Sequence, residues 1–240
     1  MRRIIVLVLL VGFAVLFQMC DDESPCGTYR LTKKGDVQNS EGGDAIFSYN
    51  ADGSLQNVSG EFQSDDNFFY DAGGRLIRTE ANSQARPRII LLFDYDAKGR
   101  VIAMHQDAPF VDSTAFEYDD TDRMTKAIFY RSRSEILYYY VIEYPNASTV
   151  KNSVYLRDQN TKEFVLGYTD TYTMDDHPRP HPQVYYLYRF PIEQAFLANN
   201  PLSIQTTYGG GRVITKSYTY NAGGYPVSED DKFTYEYRCD

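Results

Sequence analysis

From residue 44 onward, apolar and polar side chains alternate with a period of two. Phe47 and Tyr49 flank Ser48, Phe93 and Tyr95 flank Asp94, Phe116 and Tyr118 flank Glu117, and Tyr218 and Tyr220 flank Thr219. A strand sends successive side chains to opposite faces, so each triplet predicts one aromatic face and one polar face. Similar runs predict strands at 88–95, 135–144, 164–172, 183–189, 212–220 and 232–238.

The same turn follows many of these strands. FSYNADGS at 47–54, FFYDAGGR at 68–75, FDYDAKGR at 93–100 and YTYNAGGY at 218–225 share one phrase. After the Tyr comes Asn50, Asp71, Asp96 or Asn221, whose short side chain can bond the backbone two residues on and start a tight turn. Gly53, Gly74 and Gly99 follow three residues later, where a type I turn with a G1 bulge needs positive φ. Leu55, Leu76 and Val101 then restart the alternation. Each copy therefore predicts a β-hairpin tip with its two strands. FEYDDTDR at 116–123 puts Asp122 at the Gly position, which Asp tolerates better than most residues. IEYPNAST at 142–149 replaces the turn with Pro145-Asn146, and Gly209-Gly210-Gly211 marks another turn.

The repeat tyrosines 49, 70, 95, 118 and 144 are 21 to 26 residues apart. That spacing fits two strands per repeat and is short for a propeller blade of about 40–45 residues. One helix is expected at 191–200, opened by Pro191, with Ile192 and Phe196 on one face and Asn199-Asn200-Pro201 as its stop. The expected fold is all-β: a long antiparallel meander in one strongly curved or barrel-like sheet, with that helix against it. An open sheet of so many strands must curl or close.

The Tyr-Asp-x-x-Gly-Arg phrases resemble the YD repeats of bacterial cell-surface and toxin-shell proteins. Residues 44–239 are similar to a family of exported Gram-negative lipoproteins of unknown function with a porin-like domain. The hairpins, Asn200-Pro201 and the Tyr-rich FTYEYRC at 233–239 carry that resemblance. It implies a curved or barrel-like sheet and brings no activity and no catalytic residues. A membrane-embedded barrel is not expected. The faces opposite the aromatics carry Asp94, Glu117, Thr219 and Glu236, where lipid would need apolar side chains.

The N-terminus has its own pattern. Arg2 and Arg3 precede the apolar run from Ile4 to Phe17, which matches a signal-peptide core and is shorter than the roughly 20 residues of a spanning helix. Cys20, next to that run, resembles the lipidated first residue of a bacterial lipoprotein, and the acidic stretch Asp21-Asp22-Glu23-Ser24-Pro25 resembles its tether. Met19 stands where that family has a small residue. The expected organisation is a signal peptide at 1–19, a lipidated Cys and tether or first strand at 20–43, and one repeat-built domain at 44–240. The protein is then exported and lipid-anchored to the outer membrane. A plain secreted protein and an uncleaved anchor are the alternatives. With Cys20 lipidated, Cys26 and Cys239 either pair or remain thiols. A bridge between them would contribute about 4–5 kcal/mol in the chain-entropy model.

Composition narrows the partners. The chain holds 22 Tyr, 14 Phe and no Trp, an aromatic supply suited to pleated surfaces. Its net charge of −9 comes without a basic run, which argues against nucleic acid. Expected partners are the membrane, through the lipid, and a polysaccharide or an envelope protein.

Chemistry is sparse. His105, His177 and His181 are the three histidines, and no nucleophile elbow, zinc-protease signature or phosphate loop is present. Asp175, Asp176, His177 and His181 in DDHPRPHP are the candidate metal ligands, set in a loop whose prolines forbid a helix. The Asp119–Asp122 cluster and Asp94-x-Asp96 read as turn caps, because Lys98 sits where calcium would need a ligand. Tyr138, Tyr139, Tyr140, Tyr185, Tyr186 and Tyr188 are candidate ligand contacts. Period two puts at least one ring of each cluster on the solvent side. The sequence reads as a non-catalytic binding or structural module, with glycans as a candidate ligand and no cofactor. The alternative is a metal-dependent envelope hydrolase using 175–182.

Overall fold

The computed structural model describes residues 28–37, 43–60, 64–83, 86–107, 112–131, 134–179 and 197–240. Within them the chain forms seventeen strands. These are β1 (Tyr29–Asp36), β2 (Ala45–Tyr49), β3 (Leu55–Ser59), β4 (Ser64–Tyr70), β5 (Leu76–Ser83), β6 (Arg86–Tyr95), β7 (Val101–Asp107), β8 (Ser113–Tyr118) and β9 (Met124–Arg131). There follow β10 (Glu135–Asn146), β11 (Thr149–Arg157), β12 (Phe164–Pro178), β13 (Asn199–Thr206), β14 (Arg212–Thr215), β15 (Tyr218–Tyr220), β16 (Pro226–Glu229) and β17 (Phe233–Cys239).

All belong to one antiparallel sheet. Each strand pairs with its successor from β1 to β14 and again from β15 to β17, and β17 returns to pair with β1. Among the described residues the ring of hydrogen bonds is incomplete between β14 and β15. β14 pairs with β13 and β15 pairs with β16, but among the described residues no ladder joins β14 to β15. They are successive pieces of the expected run 212–220, parted at Lys216-Ser217, so the covalent chain itself carries the sheet onward.

The repeat sets the core. Phe47, Phe68, Phe93 and Phe116 are buried on the inner face. Burial of each contributes roughly 1.5–3 kcal/mol. Tyr49, Tyr70, Tyr95 and Tyr118 pack half-buried against that core, while Asp94, Glu117, Thr219 and Glu236 lie exposed on the outer face. The tips have the expected geometry. Gly74 and Gly99 have φ of 78° and 82°, and Asp122 takes 64° in their place. Each hairpin also carries a bulge just past the tip. Phe69 faces Arg78 while Tyr70 faces Leu76, leaving Ile77 extra, and Ile102 is extra in the same way. This accounts for the exposure of these two isoleucines.

The expected helix at 191–200 needs correction at its end. Asn199 and Asn200 open β13, with Asn199 opposite Pro178, and buried Leu197 precedes them. Asn200 is held in extended backbone by bonds to the end of β12, which a helical stop would not allow. Positions 191–196 and the expected strand at 183–189 lie outside the described residues. Among the described residues the helical element is a single 3-10 turn, Tyr208–Gly210.

Candidate functional site

The hairpin tips gather on one rim of the sheet, and each is bound to the next. In the 71–75 tip, Asp71 Oδ1 accepts the backbone N–H groups of Gly73 and Arg75, both at 2.9 Å. Asp71 Oδ2 accepts the Arg75 side chain at 2.7 Å. Asp96 and Asp119 repeat the pattern with Arg100 and Arg123. Backbone bonds from those arginines, more than their charges, hold the three carboxyls below their ordinary range.

The same arginines then reach forward. Arg75 lies over the ring of Tyr95, Arg100 over Tyr118 and Arg123 over Tyr144. Each of these tyrosines donates its hydroxyl backward. Tyr95 bonds the carbonyl of Leu76, Tyr118 that of Val101 and Tyr144 that of Met124, at 2.6, 2.7 and 2.9 Å. Tyr70 bonds Leu55, and Tyr237 bonds Pro226. Burial pushes the Tyr70 and Tyr144 hydroxyls up to about 12. The rim tyrosines therefore lock adjacent hairpins together, and burial keeps Tyr70 and Tyr144 protonated.

The series closes through residues far apart in sequence. The Asp240 N–H donates to Thr28 O, and Arg30 pairs with the Asp240 carboxylate. Arg30 lies over Tyr49, whose hydroxyl donates to Leu31 O. Residues 28–31 and 237–240 thus rebuild a hairpin tip from two separate segments. Cys239 within it is disulfide-bonded. Cys20 and Cys26 lie outside the described residues.

Tyr220 departs from the pattern. Tyr220 donates to a carboxylate, Asp175 Oδ2, and its ring stacks on His177 at 4.0 Å. Asn200 Nδ2 donates to the same oxygen at 3.1 Å. Asp175 Oδ1 accepts the backbone N–H groups of His177 and Asn200 at 3.1 and 2.9 Å. Burial, then the bond to Asp175, raises the Tyr220 hydroxyl further. Asp175 is a hub that joins β12, β13 and β15, and both of its oxygens are occupied. Of the other candidate ligands, Asp176 is almost fully exposed, 3.6 Å from His177 Nε2, and His181 lies outside the described residues. No group of three or more His, Cys, Asp or Glu residues placed to hold a metal occurs among the described residues. The sequence reading missed Asn200 and Tyr220 as partners of Asp175. The signal was present, since Tyr220 belongs to a repeat copy whose hydroxyl must find an acceptor.

The candidate tyrosines divide between the faces. Tyr138 stacks on Phe129 at 4.3 Å and Tyr140 meets Phe129 edge-on at 5.2 Å, both on the inner face. Tyr139 points outward, stacked on Tyr155 at 4.8 Å and beside Phe164 at 5.2 Å, with Lys126 over its ring. Tyr185, Tyr186 and Tyr188 lie outside the described residues. Outside the rim, His105 Nε2 is 2.7 Å from Asp94 Oδ2 on the outer face, a cross-strand pair.

Comparison with solved structures places this architecture. The fold is shared with a porin-like protein. That protein, from Bacteroides uniformis, superposes with a TM-score of 0.55 at 12% identity, covering 87% of this chain and 96% of its own. A protein of unknown function from Bacteroides fragilis gives 0.27 at 13% identity over 74% of this chain and 92% of its own. The Photorhabdus luminescens Tc holotoxin pore gives 0.34 at 15% identity over 81% of this chain and 9% of its own. No family model and no curated protein matches the sequence.

Proposed function

We propose that this chain is a non-catalytic module of the cell envelope, exported and held at the outer membrane by lipid on Cys20, that works by binding or scaffolding. The observation that carries the reading is the occupation of Asp175. Asp175, the candidate metal ligand among the described residues with the most partners, already accepts from His177, Asn200 and Tyr220. The rim tyrosines likewise have their hydroxyls engaged with backbone carbonyls. A site so satisfied has no lone pair left for a metal or a substrate proton.

A polysaccharide is the second reading, resting on the outward strip of Tyr139, Tyr155 and Phe164. Lys126 and Tyr155 already lie against the Tyr139 ring, so a sugar would meet ring edges and the hydroxyl more than an open face.

A thermal-shift screen of the mature protein against envelope glycans, peptidoglycan fragments and divalent metals tests these readings. The expectation is no metal-dependent shift. A zinc-induced rise that chelator reverses and His177→Ala abolishes would favour the hydrolase. A glycan-induced rise lost in Tyr139→Ala would establish the polysaccharide reading. Release of the Cys20→Ala protein from the membrane fraction tests the anchor; retention would contradict it.

A further inference from the structure

The inward face of β11 to β14 carries one polar row. Asn152 faces Asp170 across the ladder of β11 and β12, Asp170 faces Thr206, and Thr206 faces Arg212. Residues directly opposite in a ladder share a face. Val150 and Val154, two positions either side of Asn152, belong to the core and make that face the inner one. The flanking rows are apolar. Val150, Tyr172, Ile204 and Ile214 form one, and Val154 and Tyr168 form the other.

Exposure falls along the polar row. Arg212 is exposed, Thr206 and Asp170 keep 8% and 6%, and Asn152 is fully buried. Thr206 and Arg212 also line a cleft of about 550 Å³ at the turn between β13 and β14. Tyr208 in that turn is largely exposed and meets Tyr168 edge-on at 5.5 Å.

The two ends of the row are uncommitted. Among the described residues Arg212 has no ion pair or side-chain hydrogen bond, and neither amide atom of Asn152 has a partner. The middle is engaged. The Thr206 hydroxyl donates to Asp170 and accepts the Tyr208 N–H at 3.1 Å. Burial pushes the Asp170 carboxyl up, which weakens the negative charge between the two ends. A buried amide without bonds costs stability, and breaches of local rules of this kind gather at functional sites.

We propose that this row binds an acidic sugar, its carboxylate on Arg212 and its hydroxyl or amide groups toward Asn152. The proposal rests on the polysaccharide reading and moves the sugar from the outer strip at Tyr139 to the inner face. A guanidinium takes a carboxylate through two parallel bonds. A side-chain amide offers donors and an acceptor at one point, as a sugar hydroxyl requires. Apolar and aromatic walls around a few convergent polar groups are the usual make-up of a small-ligand site. Three strand spacings, about 14 Å, separate the ends of the row, which suits a disaccharide reached by the long Arg212 side chain.

Calorimetric titration of the full-length protein tests the site. The probes are the disaccharides of galacturonate, glucuronate and mannuronate, with cellobiose as a neutral disaccharide and adipate as a plain dicarboxylate. At least one uronate should bind about tenfold or more tighter than cellobiose and adipate, and more weakly as salt rises. Arg212→Ala should erase that advantage over cellobiose. Asn152→Leu should weaken uronate binding several-fold while the melting temperature rises, which separates lost binding from lost folding. Asn152→Ala repeats the test should the first variant fail to fold, and Arg212→Ala decides alone should both fail. Binding by none of the uronates, adipate binding as tightly as they do, or uronate binding untouched by Arg212→Ala overturns the site. Binding lost in Tyr139→Ala and kept in Arg212→Ala would also overturn it, while keeping the polysaccharide reading on the outer strip.

Discussion

The Tyr95 hydroxyl donates to the carbonyl oxygen of Leu76, one hairpin back, at 2.6 Å. Arg75, next to Leu76, lies over the Tyr95 ring. Two adjacent residues of one hairpin thus grip a single tyrosine of the next. This grip converts a list of hairpins into one sheet. Tyr95→Phe keeps the ring and deletes the bond, at an expected cost of about 1 kcal/mol. Tyr95→Ala also removes the packing and should cost about 3 kcal/mol, near the low end for large core truncations because Tyr95 is half-buried. Chemical denaturation of both variants separates the two contributions.

The tip carboxylates make the rim sensitive to acid. Backbone bonds from Arg75 and Arg100 hold Asp71 and Asp96 below the ordinary value of 3.8. A group depressed in the folded state stabilises it above the unfolded pKa and loses that effect as pH falls through the folded pKa. Asp96→Ala should therefore lower the melting temperature at neutral pH. The gap to the parent protein should close as pH falls below the ordinary carboxylate range. A gap unchanged at low pH would show that the charge is irrelevant.

The tip built from residues 28–31 and 237–240 can be probed from a neighbouring hairpin. Gly53 and Gly74 have similar positive φ, 85° and 78°. Alanine is strained at both by about 1–2 kcal/mol. A Cβ at Gly53 would also collide with the Arg30 guanidinium, whereas one at Gly74 meets open space. Gly53→Ala should be the more destabilising, because it displaces Arg30 from Asp240. Equal melting temperatures would contradict the role given to that pair.

Much of this was legible because the repeat is local. Period two placed Phe93 and Tyr95 inward, and the Asx-to-Gly spacing placed the tips. The substitution of Asp122 for Gly preserved a left-handed position that the spacing demanded. What was not legible depends on pairing between distant segments. Arg30 and Asp240 form a tip only because β17 returns to β1, and neither half carries the whole phrase. Asp175 looked like a metal ligand beside His177. Its partners Asn200 and Tyr220 lie 25 and 45 residues away, so local reading could not show it to be occupied. Asn199 and Asn200 looked like a helix stop because Asn-Pro ends helices, yet pairing with β12 overrode that local preference.

Asn152 is the fold's clearest local mismatch. It is fully buried between Ile142 and Asp170 on neighbouring strands, and among the described residues neither amide atom has a hydrogen-bond partner. An unsatisfied buried amide is destabilising, and an apolar side chain of similar shape removes that cost. Asn152→Leu should raise stability by about 1 kcal/mol. A loss of stability would mean that the amide is satisfied in solution by ordered water.

Half-buried tyrosine hydroxyls lock successive hairpins, and an alkaline titration reads that lock. Tyr70 and Tyr144 are pushed up to about 12, chiefly by burial. A group raised in the folded state stabilises it below the unfolded pKa, near 10, and that stability is lost as pH rises toward the folded value. Tyrosinate absorbance and far-ultraviolet circular dichroism should be followed together from pH 9 upward. Exposed tyrosines should ionise first with the sheet intact, and the locked set should then ionise in the same transition that destroys β structure. Ionisation of all tyrosines near 10, with the sheet unchanged, would show that the hydroxyls do not hold the hairpins together.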